Sequence, residues 1–111
     1  MKDVMRLPIK LVEVNVIRIT DESFPGFVEF TLTDSSGEEH RFIDKIPIVS
    51  DDYNMRPPCI GYMRCSIVGE SNNTFFIDTS APDYITSLKE EYQFEVNKDK
   101  IITYAEATDA S

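Results

Sequence analysis

Hydrophobic and polar positions alternate with a period of two along most of the chain, which is the signature of β-strands with one face in a core. Val12, Val14 and Val16 alternate with Glu13 and Asn15, and then the apolar phase slips to Ile17 and Ile19. A slip of one residue would turn the whole strand inside out, so the pattern predicts a β-bulge near Val16–Ile17. Val28, Phe30 and Leu32 alternate with Glu29, Thr31 and Thr33 in the next run. Asp34-Ser35-Ser36-Gly37 is a turn signal, after which His40, Phe42, Asp44 and Ile46 share one face of a returning strand. Pro47 and the polar run from Ser50 end that hairpin, and Pro57-Pro58 closes the loop.

Met63, Cys65 and Ile67 predict a fourth strand, Thr74 to Asp78 a fifth, and Tyr92, Phe94 and Val96 a sixth. Pro82 to Lys89 reads as one or two helical turns, with Thr79 or Ser80 as the cap and Pro82 in the first turn. Lys100–Tyr104 is a possible seventh strand, and residues 105–111 read as a flexible tail. Short strands with turns every roughly 8–15 residues predict an all-β domain spanning residues 1–104. The expected architecture is a small antiparallel barrel, half-barrel or sandwich of six to seven strands with at most one short helix.

Length supports a single domain: 111 residues fall in the range where one core forms. No apolar run exceeds three residues, far short of the ~20 that a membrane-spanning helix needs. The N-terminal residues lack the apolar stretch of a signal peptide, so a cytoplasmic location is expected. Asn72-Asn73-Thr74 matches the glycosylation pattern, which has no consequence without secretion. Cys59 and Cys65, held on one strand, would lie roughly 20 Å apart on one face, whereas a disulfide needs Cα atoms within about 7 Å. Free thiols are expected, with Cys65 in the core.

The chemistry-bearing residues point away from catalysis. His40 is the single histidine, and it sits beside Arg41 on a strand without a nucleophile elbow near Ser66 or Cys65. Three Cys and His residues without paired spacing cannot furnish a structural zinc site. The short acidic loops Asp21-Glu22-Ser23 and Asp51-Asp52-Tyr53-Asn54 lack the ligand spacing and turn glycine of an EF-hand. Glu38-Glu39 and Glu90-Glu91 are adjacent pairs whose side chains point to opposite faces of a strand, which does not set two carboxylates across a cleft. The four glycines are scattered and form no phosphate-binding loop. The expectation is a non-enzyme with no cofactor and no metal.

Charge then narrows the partner. Twenty acidic against eleven basic residues give a net charge of −9. Such a field repels nucleic-acid phosphates and anionic membranes and steers basic partners inward. Aromatic anchors interleaved with carboxylates suit a basic protein surface. That mixture occurs at Asp51, Asp52 and Tyr53, and again at Asp83, Tyr84, Glu90 and Glu91, which become the candidate partner-binding residues. The plainer expectation for each tyrosine taken singly is a core or rim residue of the barrel.

Residues 61–96, about a third of the chain, resemble small uncharacterised bacterial β proteins. The likeness rests on Gly61-Tyr62-Met63-Arg64-Cys65, Phe76-Ile77-Asp78-Thr79-Ser80, Pro82, Ser87 and the closing Tyr92-Gln93-Phe94-Glu95-Val96. It implies a β fold and carries no catalytic residues. In size, acidity and simplicity the chain is also similar to bacterial immunity proteins, antidotes that cover a cognate toxin domain, often a basic nuclease. This resemblance implies a cytoplasmic protein that neutralises a basic partner. The competing expectations are a barrel that binds a small ligand or oligosaccharide, a subunit of a larger assembly, and an enzyme whose acids act on carbohydrate.

Overall fold

The computed structural model describes residues 8–103. The seventh-strand prediction at Tyr104, the tail and the leader reading lie wholly or partly outside them. The elements in chain order are β1 (Ile9–Asp21), β2 (Phe27–Thr33), β3 (Glu39–Lys45), α1 (Ile46–Val49), β4 (Cys59–Glu70), β5 (Thr74–Asp78), β6 (Gln93–Asn97) and β7 (Ile101–Ile102). All strands pair antiparallel in one sheet of order β3-β2-β1-β4-β5-β6, with β7 paired to β1. The sheet curls into a half-barrel.

The phase slip in β1 is the expected bulge. Val16 pairs with Phe30 and Arg18 with Glu29, so Ile17 is the extra residue. The bulge lets Val12, Val14 and Val16 stay in the core while Arg18 faces outward beside Glu29. Val28, Phe30 and Leu32 of β2, Phe42 of β3, Met63 and Cys65 of β4 and Ile77 of β5 complete the inner face, all fully buried. Burying a phenylalanine such as Phe30 or Phe42 contributes roughly 1.5–3 kcal/mol, and these two rings stack at 5.1 Å. The edge of Phe42 meets Phe94 of β6 at 5.9 Å, linking the two ends of the sheet.

That link belongs to a seam between the edge strands β3 and β6. The Ser35 N–H donates to the Glu95 carbonyl at 2.8 Å, and the Leu88 N–H to the Arg41 carbonyl at 2.8 Å. The segment from Thr79 to Tyr92 fills the gap, with Ile85 in the core. It is not the helix that the proline and the capping residues predict. Tyr84 adopts φ +59 and Glu90 φ +65, left-handed conformations that a helix does not accommodate. The chain is pinned instead by Thr79, whose hydroxyl donates to the Ile85 carbonyl at 2.7 Å and whose N–H donates to the Tyr92 carbonyl at 2.8 Å.

The short helix falls elsewhere, at Ile46–Val49, where Pro47 opens the first turn instead of merely ending a strand. Ile46 and Val49 anchor it in the core. Its seat is Gly61: a Cβ there would lie 2.8 Å from the Val49 carbonyl oxygen and 2.9 Å from Val16 Cγ2. Gly26 fills a comparable need before β2, with φ +85 and a would-be Cβ only 2.7 Å from Ile46 Cδ1.

Candidate functional site

The inner face is filled by side chains, and the candidate tyrosines Tyr53 and Tyr84 are exposed on the surface. The β1–β2 turn and the loop after α1 meet at one end of the sheet. Phe24 is 87% exposed and stacks on Tyr53 with ring centroids 6.1 Å apart. Asp21 and Asp52 shape the two loops by accepting the N–H groups of Ser23 and Asn54, both at 2.8 Å. These are Asx-turns, which present the following residues outward. Glu22 and Asp51 are exposed and have no hydrogen-bond or ion-pair partner among the described residues. The result is an aromatic pair in water flanked by uncompensated carboxylates. Exposed aromatic rings are the kind of side chain that anchors protein interfaces.

The second tyrosine–acid segment is differently placed. Tyr84 is 88% exposed, but Asp83 is held by Arg64 in a two-pronged ion pair, one contact being Nε to Oδ2 at 2.9 Å. Glu90 is exposed at a turn in which its N–H donates to the Ser87 carbonyl at 2.8 Å. Glu91 lies against His40, with Oε1 3.5 Å from Nδ1. The two groups of candidate residues are not one surface. Tyr53 stacks beside the start of β2, whereas Glu91 contacts His40, the cross-strand partner of Leu32. Phe27 to Leu32 spans roughly 17 Å at the rise of a strand.

His40, a half-buried residue of β3, faces the seam. Its Nε2 is 2.8 Å from Asp34 Oδ2, and its ring tilts over Phe94 at 4.7 Å. Asp34 Oδ1 accepts the Ser36 N–H at 2.9 Å, the Ser36 hydroxyl at 2.7 Å and the Glu38 N–H at 3.0 Å. Partial burial pushes the Asp34 carboxyl upward, but the hydrogen bonds from His40, Ser36 and Glu38 outweigh it and hold the group at about 2. Asp34, Glu38 and His40 bring donor atoms within 4.8 Å of one another, a spacing that suits a cation. A cation there would have to break the hydrogen bonds that cap the β2–β3 turn, so the group works as a turn lock. Asp78 is similar: burial raises its carboxyl, yet hydrogen bonds from Ser80 and Gln93 lower it on balance.

A third cluster was not legible as a site. Glu29 of β2 lies between two arginines, with Arg18 Nε 2.7 Å from Oε1 and Arg41 Nη1 3.0 Å from Oε2. The carboxylate side chain is only 5% exposed, whereas the arginines are 69% and 59% exposed. In sequence these residues are separate outward positions on three strands, and only the bulge and the register bring them together. Phe24 was visible as an aromatic beside the acidic run Asp21-Glu22, but nothing in the sequence paired it with Tyr53.

Both cysteines are free, on β4 as the spacing implied. Burial pushes the Cys65 thiol up to about 12, and burial together with the charge of Asp52 raises Cys59. Val68, Phe76 and Gln93 line a shallow groove of about 170 Å³. That is below the ~300–1,000 Å³ of ordinary ligand sites. No helix among the described residues is long and apolar enough to cross a membrane. No protein-family model, curated protein or solved structure matches the chain.

Proposed function

We propose that this is a non-catalytic, acidic binding protein whose Phe24–Tyr53 end docks on a basic protein. Its most specific form is an immunity protein that binds and neutralises a cognate basic, nuclease-type toxin domain in the cytoplasm. The observation that carries the reading is the exposed aromatic stack with the unpartnered carboxylates of Glu22 and Asp51 beside it. The flat rings offer contact area and a cation–π surface to lysine or arginine, while the carboxylates and the net charge of −9 steer a basic partner inward. Tyr84, on its own exposed turn, extends the same chemistry to a second contact.

The test begins with capture from a lysate of the source organism on immobilised protein at moderate salt, followed by assay of the captured polypeptide. A basic nuclease inhibited at one-to-one stoichiometry, with an association rate that falls as salt rises, supports the antidote reading. A captured partner whose activity is untouched, or whose association rate is flat across the salt series, rejects it.

A further inference from the structure

The outer face of the β1–β2–β3 region has the opposite character. An antiparallel sheet with a single core ordinarily shows its other face to water, but β2 is buried on both. Val28, Phe30 and Leu32 fill the core, while Glu29 and Thr31 on the far side are 3% and 2% exposed. The register supplies the cover. Arg18 and Ile43 are the direct cross-strand partners of Glu29, and Arg41, the partner of Thr31, reaches it diagonally.

Burying a lone carboxylate is costly, and the two arginines offset that cost with one contact to each oxygen, a hydrogen bond from Arg18 and an ion pair from Arg41. The exchange leaves two positive charges for one negative, a locally positive spot on a chain of charge −9. Each guanidinium carries five N–H donors. Neither guanidinium has a further hydrogen-bond or ion-pair partner among the described residues. Glu29 therefore holds two arginines in place with donors to spare, which reduces the ordering cost of binding an acceptor. The same face carries exposed isoleucines. Asn15 pairs with both Thr31 and Ile60, which sets Ile60 in the row of Arg41, and Ile43 stands in the row of Glu29.

We infer that this face is a second docking surface, which takes a protein segment presenting a carboxylate between aliphatic side chains. The carboxylate bridges Arg18 and Arg41, and the aliphatic groups cover Ile43 and Ile60. These two isoleucines stand three strand spacings apart across the sheet and two residues apart along it, about 16 Å in all, a distance that roughly five extended residues span. A nucleic acid fits less well, because its phosphates meet the −9 field and have no use for the isoleucines. The inference does not rest on the Phe24–Tyr53 reading.

The probe is a capped five-residue peptide with a central glutamate flanked by leucines, titrated into the full-length isotope-labelled protein. The expected result is saturable shifts of the Arg18 and Arg41 side-chain Nε–H signals and of the Ile43 and Ile60 methyls. Binding should be at least tenfold tighter than for the same peptide with central lysine and tighter by a similar factor than for inorganic phosphate. Arg18→Lys and Arg41→Lys should each weaken it at least fivefold, since a point charge replaces a planar fork. The two variants are separate readouts, so a folding defect in one leaves the other to decide. Asp51→Lys, at the other end, should leave this binding unchanged while reducing association with a basic partner. Absence of shifts, equal affinity for the lysine peptide, a phosphate response as strong as the peptide response, or insensitivity to both lysine variants overturns the inference.

Discussion

At the Phe24–Tyr53 end the carboxylates of Glu22 and Asp51 stand in water without partners, and the rings beside them are exposed. On the outer face of β2 a carboxylate is enclosed by two arginines and by its strand neighbours. Both regions contain acids that alternation or turn composition places on the surface, yet the first is left unsatisfied and the second is fully satisfied. The difference follows from the backbone. The loop acids at this end use their carboxylates at most to shape their own turn, as Asp21 and Asp52 do. A strand acid has neighbours fixed at cross-strand distance on both sides, and long side chains there can close over it. Unsatisfied charge contributes to steering and association rate, whereas satisfied charge contributes to order and local geometry.

Changes that separate the two regions should differ in kind. Reversing the free acids with Glu22→Lys and Asp51→Lys should slow association with a basic partner by about 10–100-fold at low salt. Stopped-flow rates across a salt series measure this, and the melting temperature should hardly move because these groups touch nothing. Replacing both clamps, Arg18→Ala with Arg41→Ala, should do the reverse and destabilise the fold by about 2 kcal/mol by stripping a buried carboxylate of its partners. Water reaching the uncovered Glu29 keeps the loss below that of a deep ion pair, and chemical denaturation reads it.

The hydrogen-bonded acids give a third effect. Asp34 stays ionised in the folded chain down to about pH 2, while in the unfolded chain it takes up its proton near ~3.9. Its stabilisation is therefore complete above about pH 4 and is lost as the pH falls toward 2, a contribution of about 1–2 kcal/mol. Asp34→Asn should remove that component, so acid-unfolding curves of the variant and the parent should converge toward pH 2. The smallest effect concerns Cys59, whose thiol is raised first by burial and then by the charge of Asp52. Asp52→Asn should speed alkylation of Cys59 several-fold at mildly alkaline pH, while Cys65 stays protected in the core. An unchanged rate would mean that the acidic end exerts no field at the start of β4.

Alternation of side chains determined most of the architecture: the strand runs, the bulge after Val16, the Asp34–Gly37 turn and the burial of Cys65 all follow from a period of two and one phase slip. Local composition also marked Asp51, Asp52 and Tyr53 as an exposed acidic loop. Contacts between residues far apart in sequence belonged to the tertiary structure alone. The Pro82–Lys89 helix failed because Thr79 and the seam with Arg41 hold that segment through long-range hydrogen bonds that outweigh a capping pattern. Phe24 found Tyr53, Asp83 found Arg64, and Arg18 met Arg41 over Glu29, because strand register and loop closure, rather than residue type, set who stands beside whom.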